Sequence, residues 1–145
     1  MASQTHHFVI EPRVGVGPIR FGMHKNEVSN AFNSAYKSFF KVSTSKVRAD
    51  DCEAVGLIVH YDDDSRVKYI EIYKPRHGTV TLELFGQDIT GISVRGAFEL
   101  LATHSTNHTK NIYGYDFLDL GINTYNNDLE SEEQPVELFG VEAKI

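Results

Sequence analysis

The sequence predicts an α+β fold of two tandem modules, each a helix packed on an antiparallel sheet, and three recurrences carry that prediction. Gly22-Met23-His24-Lys25-Asn26-Glu27-Val28 opens a helical stretch and returns as Gly91-Ile92-Ser93-Val94-Arg95-Gly96-Ala97. Gly56-Leu57-Ile58-Val59-His60-Tyr61 returns as Gly121-Ile122-Asn123-Thr124-Tyr125. Val67-Lys68-Tyr69-Ile70-Glu71-Ile72 returns as Val136-Glu137-Leu138-Phe139-Gly140-Val141. The offsets are 69, 65 and 69 residues, so helix, strand, turn and strand recur in order at nearly constant spacing. Units this long are not solenoid repeats; two copies describe a duplicated module sharing one sheet or one core. The modules span residues 1–75 and 76–145 and are expected to form one compact unit.

Taken in order, Phe8-Val9-Ile10 reads as a short strand or arm ending at Pro12. Val14 to Gly22 is glycine-rich and alternates apolar residues around Pro18, which suits a turn and an edge strand. It lacks the Gly-Lys-Ser/Thr of a phosphate loop. Val28, Ala31, Phe32 and Ala35 fall at helical spacing, predicting a helix from His24 to about Tyr36, with Asn26 and Glu27 suited to its positive end. Residues 37–53 read as one irregular strand plus a loop. Ala54–Tyr61 and Val67–Tyr73 read as strands joined at Asp62-Asp63-Asp64-Ser65-Arg66, the second with one wet face because charges alternate with apolar groups.

Lys74 to Gly78 marks the module boundary. Thr79–Phe85 alternates Val80, Leu82 and Leu84 and reads as a strand. Ser93 is placed to cap the second helix, whose buried stripe is Val94, Ala97, Phe98, Leu100 and Leu101. Tyr113 to Gly121 reads as a loop or bulged strand running into a strand at 120–125. The second hairpin turn, Asn126 to Pro135, is longer and more acidic than the first. The expected core includes Phe32, Ile58, Ile70, Phe98, Leu101 and Ile122.

Composition narrows the function. A chain of 145 residues with 41% hydrophobic and 11% aromatic residues has enough apolar surface to build a core. No apolar run suits a secretory signal or a bilayer span, which predicts a cytoplasmic protein with no membrane association. Cys52 is a lone cysteine among acidic neighbours, read as incidental rather than nucleophilic. Residues 1–75 hold 10 Lys/Arg and 9 Asp/Glu, whereas residues 76–145 hold 4 and 11, giving balances of +1 and −7. Such a field repels phosphates and attracts basic partners, so nucleic acid is not an expected ligand.

Signals for chemistry are weak. His104 and His108 are spaced i, i+4, but threonines around them suggest a helix end, and no metalloprotease glutamate follows His104. Asp62-Asp63-Asp64 lacks the glycine and glutamate of a calcium loop and reads as a solvated turn. The serines lack a nucleophile elbow. The chain is therefore expected to be neither an enzyme nor a metal or cofactor protein. The stretch suited to recognition combines Tyr113, Tyr115, Asp116, Asp119 and Tyr125 with Asp128, Glu130, Glu132 and Glu133 of the acidic turn. Tyrosine supplies contact area at low entropic cost, and carboxylates steer a basic partner. The alternative is that Tyr115 and Phe117 are core and the acidic turn is a soluble face.

Ile19-Arg20-Phe21 followed by Gly22-Met23-His24-Lys25-Asn26-Glu27-Val28 resembles the small outer-membrane lipoprotein module of bacteria. As a tandem pair it resembles the β-lactamase inhibitor protein, whose two helix-plus-sheet repeats form a concave surface that grips an enzyme. Two departures stand out: His24 replaces the usual Ser/Thr cap, and Gly91-Ile92-Ser93 replaces Gly-Met-Ser/Thr. The resemblance implies partner binding without membrane anchoring. Small acidic cytosolic proteins of this kind are similar as a class to bacterial immunity proteins. The expected function is thus an immunity protein that occludes a basic toxin domain. The alternative is a small-molecule-binding or enzymatic α+β domain with a cleft between modules.

Overall fold

The computed structural model describes residues 5–31, 37–39, 49–74 and 79–143, and among them the chain is α+β. Strands β1 (Thr5–Glu11), β2 (Gly15–Val16) and β3 (Ile19–Arg20) lead into helix α1 (Lys25–Ala31). Strands β4 (Lys37–Phe39), β5 (Ala49–Cys52), β6 (Leu57–Tyr61) and β7 (Val67–Tyr73) follow. The succession restarts with β8 (Thr79–Leu84), β9 (Gln87–Asp88) and α2 (Val94–His104). It ends with β10 (His108–Asn111), β11 (Gly114–Phe117), β12 (Ile122–Tyr125) and β13 (Leu138–Glu142).

Among the described residues these strands form a five-stranded sheet, ordered β3-β2-β1-β8-β9, and an eight-stranded sheet, ordered β10-β11-β12-β13-β7-β6-β5-β4. The larger sheet is antiparallel throughout; in the smaller one β1 and β8 run parallel, Thr5 opposite Thr79 and Ile10 opposite Leu84. At the middle of the larger sheet β7 pairs with β13, Ile70 opposite Val141 and Ile72 opposite Phe139. Adding 69 to one member of either pair gives the partner in the other pair, and Glu71 and Gly140, themselves 69 apart, face each other at the centre.

Backbone bonds recur at the same spacing. Val67 N–H donates to Met23 C=O and Val136 N–H to Ile92 C=O, both at 2.9 Å. Lys25 N–H donates to Ser65 C=O and Val94 N–H to Gln134 C=O, again both at 2.9 Å. The bridge between His24 and Arg66 likewise reappears between Ser93 and Pro135. The helix starts differ only in cap chemistry. Ser93 Oγ accepts from Gly96 N–H at 3.0 Å. At α1 the His24 ring Nδ1 accepts from Asn26 N–H at 3.1 Å, and Glu27 Oε1 returns a bond to His24 N–H at 3.3 Å. A histidine with a glutamate three residues on thus does the work of a capping box.

One core joins every layer. Phe8, Ile10 and Leu84 of the smaller sheet meet Val28, Val94, Ala97 and Leu101 of the helices over Leu57, Val59, Ile70, Ile72, Ile122, Phe139 and Val141 of the larger sheet. Full burial of each such side chain stabilises the fold by about 1.5–3 kcal/mol. Ile70, Leu101 and Ile122 are buried as their pattern predicts. Ile58 is not in this core: β6 turns Leu57 and Val59 inward, and alternation sends Ile58 to the opposite face. Phe98 is half-buried, packing on Tyr115 with centroids 4.5 Å apart. Ala31 is exposed, and Phe32, like the rest of the helix expected beyond Ala31, lies outside the described residues.

Other differences are local. Residues 37–53 supply two strands, β4 and β5, rather than one. Residues expected beyond the end of α2 form the edge strand β10. Cys52 sits on β5, buried, and burial with Asp50 and Asp51 nearby pushes its thiol up to about 12. Behind α1, the buried carboxylate of Asp50 accepts from Lys25 Nζ and from Tyr61 Oη, each at 2.6 Å. No described helix is long and apolar enough to cross a membrane.

Candidate functional site

With Leu57, Val59, Ile70, Ile72, Ile122 and Val141 turned to the core, strand alternation assigns their neighbours to the opposite face of the eight-stranded sheet. Through successive ladders Asp116, Asn123, Gly140, Glu71, Ile58 and Asp51 lie opposite one another in one line across six strands. On one side of it run Glu142, Tyr69 and His60; on the other, Tyr125, Leu138 and Tyr73. The face therefore carries three tyrosines and four carboxylates. Tyr69, Tyr73, Glu71 and Asp116 are half-buried, while Tyr125 and Glu142 are exposed.

Contacts within this face hold it in place. His60 Nε2 and Glu71 Oε1 are 2.5 Å apart, and the His60 ring lies 5.5 Å from that of Tyr69. Tyr73 Oη donates to Asp51 Oδ1 at 2.5 Å. Gly140 makes room at the centre: a Cβ there would come within 2.1 Å of Tyr69 Oη and 2.6 Å of Asn123 Oδ1. Burial raises the Tyr69 phenol above its ordinary range; a hydrogen bond with Asn123 opposes this, and Glu71, Glu142 and Asp116 reinforce it. Burial also raises Asp116, against the pull of the Arg13 guanidinium. Burial, followed by the bond to Asp51, raises Tyr73.

At one corner this face meets the residues singled out from sequence. Tyr113 stacks on Tyr125, rings 4.9 Å apart, with 40% and 37% of their surfaces exposed. Ile112 beside them is 77% exposed. Asn111 Oδ1 shapes this turn by accepting from Tyr113 N–H at 2.7 Å and Gly114 N–H at 3.2 Å. Gly114 is required there, because a Cβ would fall 2.4 Å from the Thr124 carbonyl oxygen.

The acidic turn is organised by two amides. Buried Asn126 donates to Pro135 C=O at 2.9 Å and accepts from Glu137 N–H at 3.1 Å. Gln134 Oε1 accepts from Glu130 N–H at 2.7 Å and Ser131 N–H at 2.8 Å. Asp128, Glu130 and Glu133 consequently stand in solvent. Glu133 pairs with Arg95 at 3.3 Å.

The nine predicted residues do not form one patch. Tyr113, Tyr125, Asp128, Glu130 and Glu133 are exposed along the corner and the turn. Tyr115 is buried, so the core alternative holds for it and for Phe117. Glu132 points inward too, accepting from Tyr115 Oη and Lys110 Nζ, both at 2.9 Å. Those two bonds, Lys110 first, hold its carboxyl below the usual range. Asp119 caps a loop by accepting from Ser105 Oγ at 2.5 Å and Thr106 N–H at 2.8 Å, which brings its carboxyl down to about 2. Asp116 belongs to the tyrosine-bearing sheet face. Sequence reasoning missed Tyr69, Tyr73, His60, Glu71 and Asn123, although the wet face expected for Val67–Tyr73 was the available signal.

His104 ends α2 and stacks on Phe85, rings 3.8 Å apart, whereas His108 begins β10 and meets Phe98 edge-on at 5.3 Å. The two imidazoles serve different aromatic contacts. Among the described residues no group of three or more His, Cys, Asp or Glu side chains is placed to hold a metal ion. Comparison with family models, curated proteins and solved structures gives no match to this chain.

Proposed function

We propose that the chain is a cytosolic protein-binding inhibitor, specifically an immunity protein that neutralises a bacterial toxin by direct occlusion. In this reading it is built as two tandem modules after the manner of the β-lactamase inhibitor protein. The recurrence of backbone bonds at a spacing of 69 supports the tandem architecture. The observation that carries the function is the face bearing Tyr69, Tyr73 and Tyr125 among Asp51, Glu71, Asp116 and Glu142. Half-buried, mutually bonded tyrosines are pre-ordered and lose little entropy on binding, and their carboxylate neighbours suit a basic partner. Tyr113, Ile112 and the exposed acids of the turn extend this surface past the corner at Tyr125.

The test is surface plasmon resonance against the basic C-terminal domain of a secreted protein encoded beside this chain. Reversing Asp128, Glu130 and Glu133 to lysine should chiefly slow association and flatten its salt dependence, as rim charges do. Tyr125→Ala should instead speed dissociation and cost about 2 kcal/mol or more. Loss of binding from changes on the helix side alone would relocate the interface. Turnover of a small molecule with no protein partner would end this reading.

A further inference from the structure

A cleft of about 720 Å³ opens between the two sheets, on the side away from the tyrosine-bearing face. Its walls are apolar: Ile72 and Phe139 from the larger sheet, Val80 and Leu82 from β8, and Ile89 and Ile92 from the stretch leading into α2. The volume lies within the roughly 300–1,000 Å³ typical of small-ligand sites, which pair an apolar lining with few polar anchors.

The polar side chains bordering the cleft are mostly committed. Both ends of the Asn126 amide are bonded, and Thr90 Oγ1 accepts from Leu82 N–H at 2.9 Å. Gln134 holds the acidic turn, and the Glu137 carboxylate accepts from Asn127 N–H at 3.0 Å. Tyr73 Oη is spent on Asp51. Among the described residues lining the cleft, Lys74 is the charged side chain without a partner, and it is exposed. An apolar slot with one uncommitted ammonium is complementary to an apolar chain ending in a single negative charge.

We propose that this cleft binds a free straight-chain fatty acid, its carboxylate on Lys74 and its tail along Ile72, Leu82 and Ile92. A cationic head would be repelled by Lys74, and the slot offers a neutral head no uncommitted charged anchor. This site rests on a different observation from the tyrosine-bearing face, so either reading can fail alone.

Isothermal titration calorimetry of the full chain with decanoate, laurate and dodecyltrimethylammonium, each below its micelle concentration, tests it. Laurate should bind more tightly than decanoate, each methylene contributing about fourfold. Lys74→Met, an exposed and structurally mild change, should weaken both carboxylates by about tenfold or more, the strength of a charge-assisted bond. Val80→Phe, checked for folding by circular dichroism, should fill the slot and abolish binding. Absence of carboxylate binding by the wild type would overturn the proposal. So would dodecyltrimethylammonium binding as tightly as laurate, unchanged affinity in Lys74→Met, or full affinity in folded Val80→Phe.

Discussion

The hairpins β6–β7 and β12–β13 hang from the same backbone bonds yet close in different ways. The first needs only residues 62–66: Asp62 Oδ1 accepts from Asp64 N–H and Arg66 N–H, both at 2.9 Å, and one carboxylate closes the turn. The second spans twice that length and relies on the amides of Asn126 and Gln134, with Glu132 tied to Lys110 and Tyr115. The ground beneath the hairpins differs as well. Where the first half buries the pair of Asp50 with Lys25, the positions 65 and 69 residues on are Tyr115 and Val94. Shared anchors at Met23–Val67 and Ile92–Val136 leave the intervening chain free to change length and chemistry without moving the strands.

The largest effect should come from the buried charge. Asp50→Ala strands Lys25 and Tyr61 without their acceptor and should cost about 3–5 kcal/mol in urea denaturation. Tyr115→Phe, the counterpart change, removes one bond to Glu132 and should cost about 1 kcal/mol. Equal costs would mean that the two halves rest on the same kind of support.

Next come the matched core positions. Leu57→Ala and Ile122→Ala, at fully buried sites 65 residues apart, should each cost about 2–5 kcal/mol. Both should keep a single unfolding transition, because both side chains enter one core. Two transitions in either variant would separate the halves thermodynamically.

The turns give smaller differences. Asp62→Ala should cost about 1–2 kcal/mol and Gln134→Ala about 0.5–1 kcal/mol, since a carboxylate holds backbone N–H groups more strongly than an amide does. Hydrogen exchange at Asp64, Arg66, Glu130 and Ser131 would report the local loosening.

The smallest effect is confined to acid. Asp119 is held at about 2, against roughly 3.9 for an unfolded aspartate. Its contribution is therefore complete above about pH 4 and disappears as pH falls towards 2. Asp119→Asn should flatten that limb of the stability profile and leave neutral pH nearly unchanged. An unaltered acid limb would show that the Ser105–Thr106 loop is held by other bonds.

Several of these features could be read from the residues. Ser93 announced α2, and Val94, Ala97 and Leu101 set its buried face, because capping and helical period are local properties. The wrong phase at Ile58 has an equally local cause: Leu57, Ile58 and Val59 are all apolar, so alternation carries no signal. Strand β10 escaped because His108, Thr109, Lys110 and Asn111 are all exposed and only their bonds to β11 define them. The tyrosine-bearing face depends on which strands neighbour β7, and that is decided by pairing over long separations. Glu132 was chosen for its charge, but Lys110 and Tyr115, distant in sequence, turn it inward.

The parallel ladder between β1 and β8 has a consequence for how the molecule assembles. Thr5 must meet Thr79, a separation of 74 residues, whereas β6 meets β7 across a five-residue turn. Closing a long loop costs entropy before any contact repays it, so pairings of high sequence separation form slowly. The β1–β8 ladder is therefore the late event, completed once the chain between its strands has folded. Unfolding that begins there would free the N-terminal strand while hairpins on both sides of the larger sheet stay intact.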